Sequence, residues 1–206
     1  MKQKQDPNKA LFEIAESQQG LFTARQAESV GFSSKNHAYH LKAGNWIREA
    51  RGIYRLALFP IQTEQQLVTY ALWSQNRRGE VQGVYSHETA LAHYELTDLN
   101  PSKLHMTVPK GFRRNSELPG ILDLHIADLS KDEIQVSRGF LVTKPLRTIQ
   151  DVIEVKNISL EFVEQAIKES IKRGLVSKSQ IKSLIARVKV PMATLKELDL
   201  IFREVA

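Results

Sequence analysis

Residues 33–56 decide the fold: Ser33-Ser34-Lys35-Asn36-His37-Ala38-Tyr39-His40-Leu41-Lys42-Ala43-Gly44-Asn45-Trp46-Ile47-Arg48-Glu49-Ala50-Arg51-Gly52-Ile53-Tyr54-Arg55-Leu56. Ser33 is placed to cap a helix running through Lys35 to Lys42, and Gly44 stops it. Trp46-Ile47-Arg48 and Ile53-Tyr54-Arg55-Leu56 then read as two short strands around a turn that carries Gly52. Upstream, Thr23 and Gln26 have the capping-box spacing and Gly31 closes a short second helix. Asp6-Pro7 opens a first helix with Leu11, Ile14 and Ala15 on its buried stripe, ended at Gly20. Three helices and a hairpin within residues 1–60 have the order of a winged helix-turn-helix, so residues 1–60 are expected to form that domain.

A helix that reads DNA offers polar side chains opposite its buried stripe. With Ala38 and Leu41 inward and about 100° per residue, the opposite face holds Asn36, Tyr39 and His40, flanked by Lys35 and His37. Asn suits bidentate contact with adenine, Tyr and His bond a base edge or phosphate, and Lys anchors the backbone. The candidate DNA contacts are therefore Ser34, Lys35, Asn36, His37, Tyr39, His40 and Lys42 on the helix. Arg48, Arg51 and Arg55 join them on the hairpin, where a wing lays guanidinium groups along phosphates or into a minor groove. The competing reading of these residues is a solvated polar face with arginines that keep the surface soluble.

Charge agrees with a phosphate-bearing partner. The chain carries 29 Lys plus Arg against 23 Asp plus Glu, a net +6. Residues 1–60 hold nine basic and five acidic side chains, leaving twenty and eighteen for residues 61–206, so the excess is denser at the N-terminal end. The absence of cysteine excludes disulfide scaffolds, cysteine nucleophiles and Cys-ligated zinc. Residues 1–9 are basic without the apolar stretch of a signal peptide, and no run approaches the roughly 20 apolar residues that span a bilayer. A cytoplasmic protein with no membrane partner is expected.

Residues 61–206 are expected to form a larger α+β domain. Leu67, Val68, Ala71 and Leu72 have helical spacing before the turn Asn76-Arg77-Arg78-Gly79. Strands are expected over 81–85, 103–108, 121–127, 134–136 and 140–143, with a helix capped by Ser86 after the first. From Pro145 onward the pattern is helical, over 146–155 and 160–173, then from Ser177 with Gln180, then after Pro191. The loop between the second and third strands contains Lys110, Arg113 and Arg114, a second basic cluster. It reads either as a site for nucleic acid or an acidic partner face, or as a solvated loop. Arg147 and Asp151 stand four apart and are expected to pair on their helix.

Catalytic patterns are missing. His87-Glu88 and His93 resemble a zincin motif, but the histidines are six apart rather than four, about 120° from each other on a helix. His105 and His125 fall in expected strands, as core or surface residues. Asp123 and Asp128 have an odd spacing that sets them on opposite faces of an extended chain. Phosphate-cradling glycine patterns and a serine nucleophile elbow are absent, and Ser86 with His87 reads as a helix cap rather than part of a triad with Asp151. No catalytic residue, cofactor or metal is expected. The alternative is a nuclease or nucleotide-acting enzyme tethered to DNA by the winged helix, with catalysis in the C-terminal domain through carboxylate-held magnesium or manganese.

Ala10-Leu11-Phe12, Gly20-Leu21-Phe22-Thr23-Ala24-Arg25-Gln26-Ala27, Gly31-Phe32-Ser33 and Gly52-Ile53-Tyr54-Arg55-Leu56 together resemble the N-terminal domain of the AbiEi family, the antitoxins of type IV toxin-antitoxin systems. Tyr85-Ser86-His87-Glu88-Thr89-Ala90-Leu91 and Pro145-Leu146-Arg147-Thr148-Ile149-Gln150-Asp151-Val152-Ile153 resemble two internal landmarks of that family. The resemblance implies a transcriptional autorepressor acting in abortive infection and phage defence. It would bind double-stranded DNA at repeats in its own promoter, and its second domain would oppose a nucleotidyltransferase-like toxin with or without direct contact.

Overall fold

Asp6 starts the first helix: its carboxylate accepts from the Asn8 amide at 3.0 Å, and Pro7 occupies the first helical position of α1 (Pro7–Glu16). The computed structural model describes residues 6–115, 117–155 and 158–205. α1 buries Leu11 and Ala15. Gly20, at φ +85°, then turns the chain where a Cβ would stand 2.5 Å from the Phe59 ring, so a side chain is excluded twice over.

The fully buried strand β1 (Leu21–Thr23) follows, a segment in which the sequence predicts no strand. At three residues it shows no alternation, and only its antiparallel partner thirty residues downstream defines it. The capping box at Thr23 is present: the Gln26 amide donates to Thr23 Oγ1 at 3.2 Å, and the Thr23 amide to Gln26 Oε1 at 2.8 Å. It launches α2 (Ala24–Ser29). Ser33, expected to cap the next helix, makes no side-chain cap bond. A 3-10 turn over Ser34–Asn36 comes first, and α3 (His37–Lys42) continues from it.

The hairpin of β2 (Trp46–Ala50) and β3 (Ile53–Leu56) completes a three-stranded antiparallel sheet in the order β1-β3-β2. Phe22 pairs with Tyr54 and Trp46 with Leu56, and a bulge lies between Arg48 and Ala50. Leu11, Ala15, Phe22, Ala27, Trp46 and Tyr54 form the core of this winged helix.

The sequence places a domain boundary at residue 60. The compact unit containing the winged helix runs on through Gly83 and includes Val136–Leu141. The physical reason is α4 (Gln65–Trp73), whose buried face, including Val68, Ala71 and Leu72, packs on β1 and β3. Within this unit Gln19 Nε2 also donates to the Arg138 carbonyl at 2.9 Å.

The second unit comprises Val84–Gln135 and Val142–Ala206. Its strands are β4 (Val84–Tyr85), β5 (Leu104–Val108), β6 (Leu122–Ile126), β7 (Ile134–Val136) and β8 (Leu141–Thr143), in the sheet order β6-β5-β4-β8-β7, with Val136 of β7 and Leu141 of β8 counted in the first unit. The sheet is mixed: β4 runs antiparallel to β5 and parallel to β8, and β5 runs parallel to β6. Helices α5 (His87–His93), α6 (Pro145–Val155), α7 (Leu160–Lys172), α8 (Lys178–Arg187) and α9 (Met192–Val205) supply most of its apolar core, among them Leu91, Ile149, Ile167, Ile181, Leu184 and Leu198. The architecture is the expected α+β, a winged helix followed by a larger mixed domain ending in helices. Among the described residues, no helix is long and apolar enough to cross a membrane.

Candidate nucleic-acid interface

Trp46 sets which side of α3 faces outward. As the first residue of β2 it is buried, and three rings from the α2–α3 region gather on it. Phe32 meets it edge-on at 5.3 Å, His37 at 5.3 Å and His40 in a stack at 4.6 Å. His37 also lies against Tyr54 at 5.9 Å. An imidazole over aromatic faces buries far more surface than an alanine methyl. The three residues per turn of the preceding 3-10 segment also shift the phase of the helix. The inward residues of α3 are therefore His37 and, in part, His40 and Leu41, whereas Ala38, expected inward, is exposed.

This rotation sorts the sequence candidates. Ser34, Lys35, Asn36, Tyr39 and Lys42 are exposed, Tyr39 with 67% of its surface accessible. His37 is buried in the aromatic core rather than flanking a reading face, and His40 has one ring face on Trp46 with its Nδ1 3.4 Å from Asn45 Nδ2.

The hairpin divides its arginines as well. Arg48 and Arg51 are exposed, Arg51 next to Gly52 at the turn, where φ is +75°. Ala24 donates its amide to the Gly52 carbonyl at 2.9 Å, tying the turn to the start of α2. Arg55, expected on the wing surface, is instead buried at 5% exposure. Its Nε donates to Glu49 Oε1 at 2.7 Å and its Nη1 to the Phe59 carbonyl at 2.9 Å. The bulge around Glu49 re-aims that carboxylate toward β3. Lys35, Lys42, Arg48 and Arg51 make no ion pair among the described residues, so their charges are available to an anionic partner.

The second basic cluster is exposed at Lys110, Arg113 and Arg114, with Lys110 held to Asp128: its amide donates to Oδ1 at 3.2 Å and its ammonium lies 3.4 Å from Oδ2. That ion pair is solvent-exposed on both sides and correspondingly weak.

In the second unit the segments 85–91 and 145–153, which lie outside the residues that the family model matches, meet where α5 packs on α6. Ser86 occupies the N-cap position of α5 as expected, but its side chain makes no capping bond. Its Oγ accepts from Thr107 Oγ1 at 2.7 Å and lies 2.8 Å from His87 Nδ1. His87, left-handed at φ +51°, stacks on the His125 ring at 3.6 Å, and His125 Nε2 lies 3.0 Å from His105 Nδ1. Glu88 Oε2 stands 3.4 Å from His105 Nε2. Burial first, then the charges of His125, His105 and Arg147, pull His87 down to about 3. The parallel register of β5 and β6, with Thr107 opposite His125, creates this histidine group. A separation of twenty residues gives no local signal for it. Among the described residues, no group of three or more His, Asp or Glu is arranged to hold a metal ion.

Arg147 pairs with Asp151 as expected, Nε to Oδ1 at 2.7 Å, and also reaches Glu133 Oε1 from Nη1 at 2.8 Å. Asp151 is 4% exposed, and its Oδ2 has no hydrogen-bond partner among the described residues. Burial outweighs the nearby guanidinium and pushes this carboxyl up to about 6.

The span from α1 to the end of β3 has a family counterpart. Residues 9–57 match the family model described as a transcriptional regulator, AbiEi antitoxin. The AbiEi-like segment thus covers the winged helix and stops at its hairpin. Over nearly the whole chain the fold is similar to the crystal structure of the Rv2827c protein from Mycobacterium tuberculosis. The TM-score is 0.60 at 9% identity, over 97% of this chain and 76% of that one. At that identity the likeness is one of fold. No curated protein sequence matches the chain.

Proposed function

We propose that this chain is a DNA-binding repressor and antitoxin that acts in the cytoplasm on repeats in its own promoter. Its winged helix lays α3 in the major groove, where Asn36 and Tyr39 contact base edges while Ser34, Lys35 and Lys42 engage the backbone. Arg48 and Arg51 grip phosphates or the minor groove beside it. The observation that supports this reading most is the AbiEi-like match on a domain whose α3 turns a polar, carboxylate-free face outward, with four flanking cations that make no ion pair among the described residues. The second unit, on this reading, serves to oppose a nucleotidyltransferase-like toxin of a type IV system, in abortive infection.

The test is competition binding between a duplex from immediately upstream of the reading frame and a shuffled duplex of the same composition. Wild type is expected to prefer the upstream duplex, with affinity falling steeply as salt rises. Asn36→Ala and Tyr39→Ala should each lose roughly 1–3 kcal/mol of that preference, whereas Arg51→Ala should weaken both duplexes alike. Equal affinity of wild type for the two duplexes would refute the assignment.

A further inference from the structure

The turn after α4 reads in the sequence only as a break between elements, yet it is a hydrogen-bonded loop that presents two adjacent arginines. Asn76 Oδ1 accepts from the amides of Arg78 at 2.8 Å and Glu80 at 3.1 Å. Its Nδ2 donates to Glu80 Oε2 at 2.6 Å, and its own amide donates to the Glu80 carbonyl at 3.0 Å. Gly79, at φ +84°, closes the loop. One side chain thus organises both ends of the turn, and Arg77 and Arg78 stand exposed at its tip. The only carboxylate paired with either among the described residues is Glu80, 3.6 Å from Arg78 Nε, with the two side chains 60% and 83% exposed respectively. Such a pair is weak and leaves the guanidinium available.

The position of this tip gives it a use. Arg25, exposed in the first turn of α2, donates from Nη1 to the Arg77 carbonyl. The loop therefore abuts the helix that, in helix-turn-helix docking, crosses the DNA backbone while the next helix enters the groove. Three arginines, Arg25, Arg77 and Arg78, converge there, two of them from a loop beyond the AbiEi-like segment, which ends at residue 57.

We infer that the Asn76–Glu80 turn is an additional phosphate-contacting loop, with Arg77 and Arg78 extending the footprint on duplex DNA along the backbone flanking the groove read by α3. This rests on the DNA-binding reading above. It adds affinity without sequence information, because phosphates are alike at every step.

The test is the slope of log affinity against log salt for the full chain on the upstream and shuffled duplexes, compared with Arg77→Gln/Arg78→Gln, together with hydroxyl-radical footprints of both proteins. Losing two phosphate contacts should flatten the slope by about 2 and weaken binding roughly 30-fold at 0.15 M salt, equally for both duplexes. The footprint should lose protected sugars at its outer edge and keep its centre. An unchanged slope and footprint for the double variant, with wild type still preferring the upstream duplex, overturns this inference alone. Wild type without that preference overturns the reading on which it rests. Thermal unfolding of the double variant at the wild-type temperature shows that the fold is intact, since both side chains are at the surface.

Discussion

Arg55 shows how one side chain's surroundings override its type. An arginine on a wing strand invites a phosphate contact, but the bulge at Glu49 brings a carboxylate to 2.7 Å and the Phe59 carbonyl takes a second N–H. Arg55→Ala would remove a buried side chain and both of its hydrogen bonds, while the exposed Glu49 turns to water, and is expected to cost roughly 1–2 kcal/mol. Both tryptophans, Trp46 and Trp73, lie in the first unit, so their fluorescence during urea unfolding reports it directly. Arg51→Ala should leave that transition unmoved. An Arg55→Ala protein with wild-type unfolding and weakened DNA binding would instead place Arg55 at the DNA surface.

His87 makes the corresponding case in the second unit. Its value of about 3 lies below the ordinary 6.5, so its contribution is fully present above pH 6.5 and is lost as pH falls toward 3. His125, also lowered by burial, acts in the same direction, while Asp151, raised to about 6, loses its contribution as pH rises from about 4 to 6. The groups facing His87 are His125, His105 and Arg147. His87→Asn tolerates the left-handed backbone and keeps a polar atom toward Ser86. Relative to wild type it should retain about 2 kcal/mol more stability on going from pH 6.5 to pH 5, followed by circular dichroism. Parallel stability curves for the two proteins would show that His87 is protonated in the fold.

Elements were legible in the sequence wherever a local signal defined them. The Thr23–Gln26 and Ser177–Gln180 capping boxes stand as the spacing implies, and Gly31 and Gly44 close their helices with positive φ. Two features were not legible because long-range partners create them. β1 exists through its ladder with β3, and the phase of α3 is set by the rings on Trp46, which turn His37 inward and Ala38 outward. The start of β1 depends on Gly20, where a methyl meets both a forbidden φ and the Phe59 ring. Gly20→Ala should destabilise the winged helix by roughly 2–3 kcal/mol, read from the tryptophan transition. An effect near zero would mean that Phe59 does not cover the turn.

At the scale of the whole molecule, the α+β class and, β1 apart, the order of its main elements followed from periodicity and turn residues. The limits of the first unit did not, because α4 joins it through packing that no composition shift announces. The exposed part of the proposed reading face, Ser34, Lys35, Asn36, Tyr39 and Lys42, was recognisable as polar residues on a short helix before a hairpin. The histidine group was invisible because its members are distant in sequence, and the turn Asn76-Arg77-Arg78-Gly79 was legible as a turn but not as a platform for its arginines, which look like ordinary loop residues.

The absence of cysteine allows one direct measurement of where DNA lies. A single cysteine placed at Tyr39 and coupled to an iron chelate turns the protein into a local DNA-cutting reagent without background labelling. Bound to the upstream duplex, it should cut each repeat at a few adjacent positions on both strands, with the stagger of attack from the major groove. Uniform or undetectable cutting, under conditions where the labelled protein still occupies the duplex, would contradict the placement of α3 in the groove.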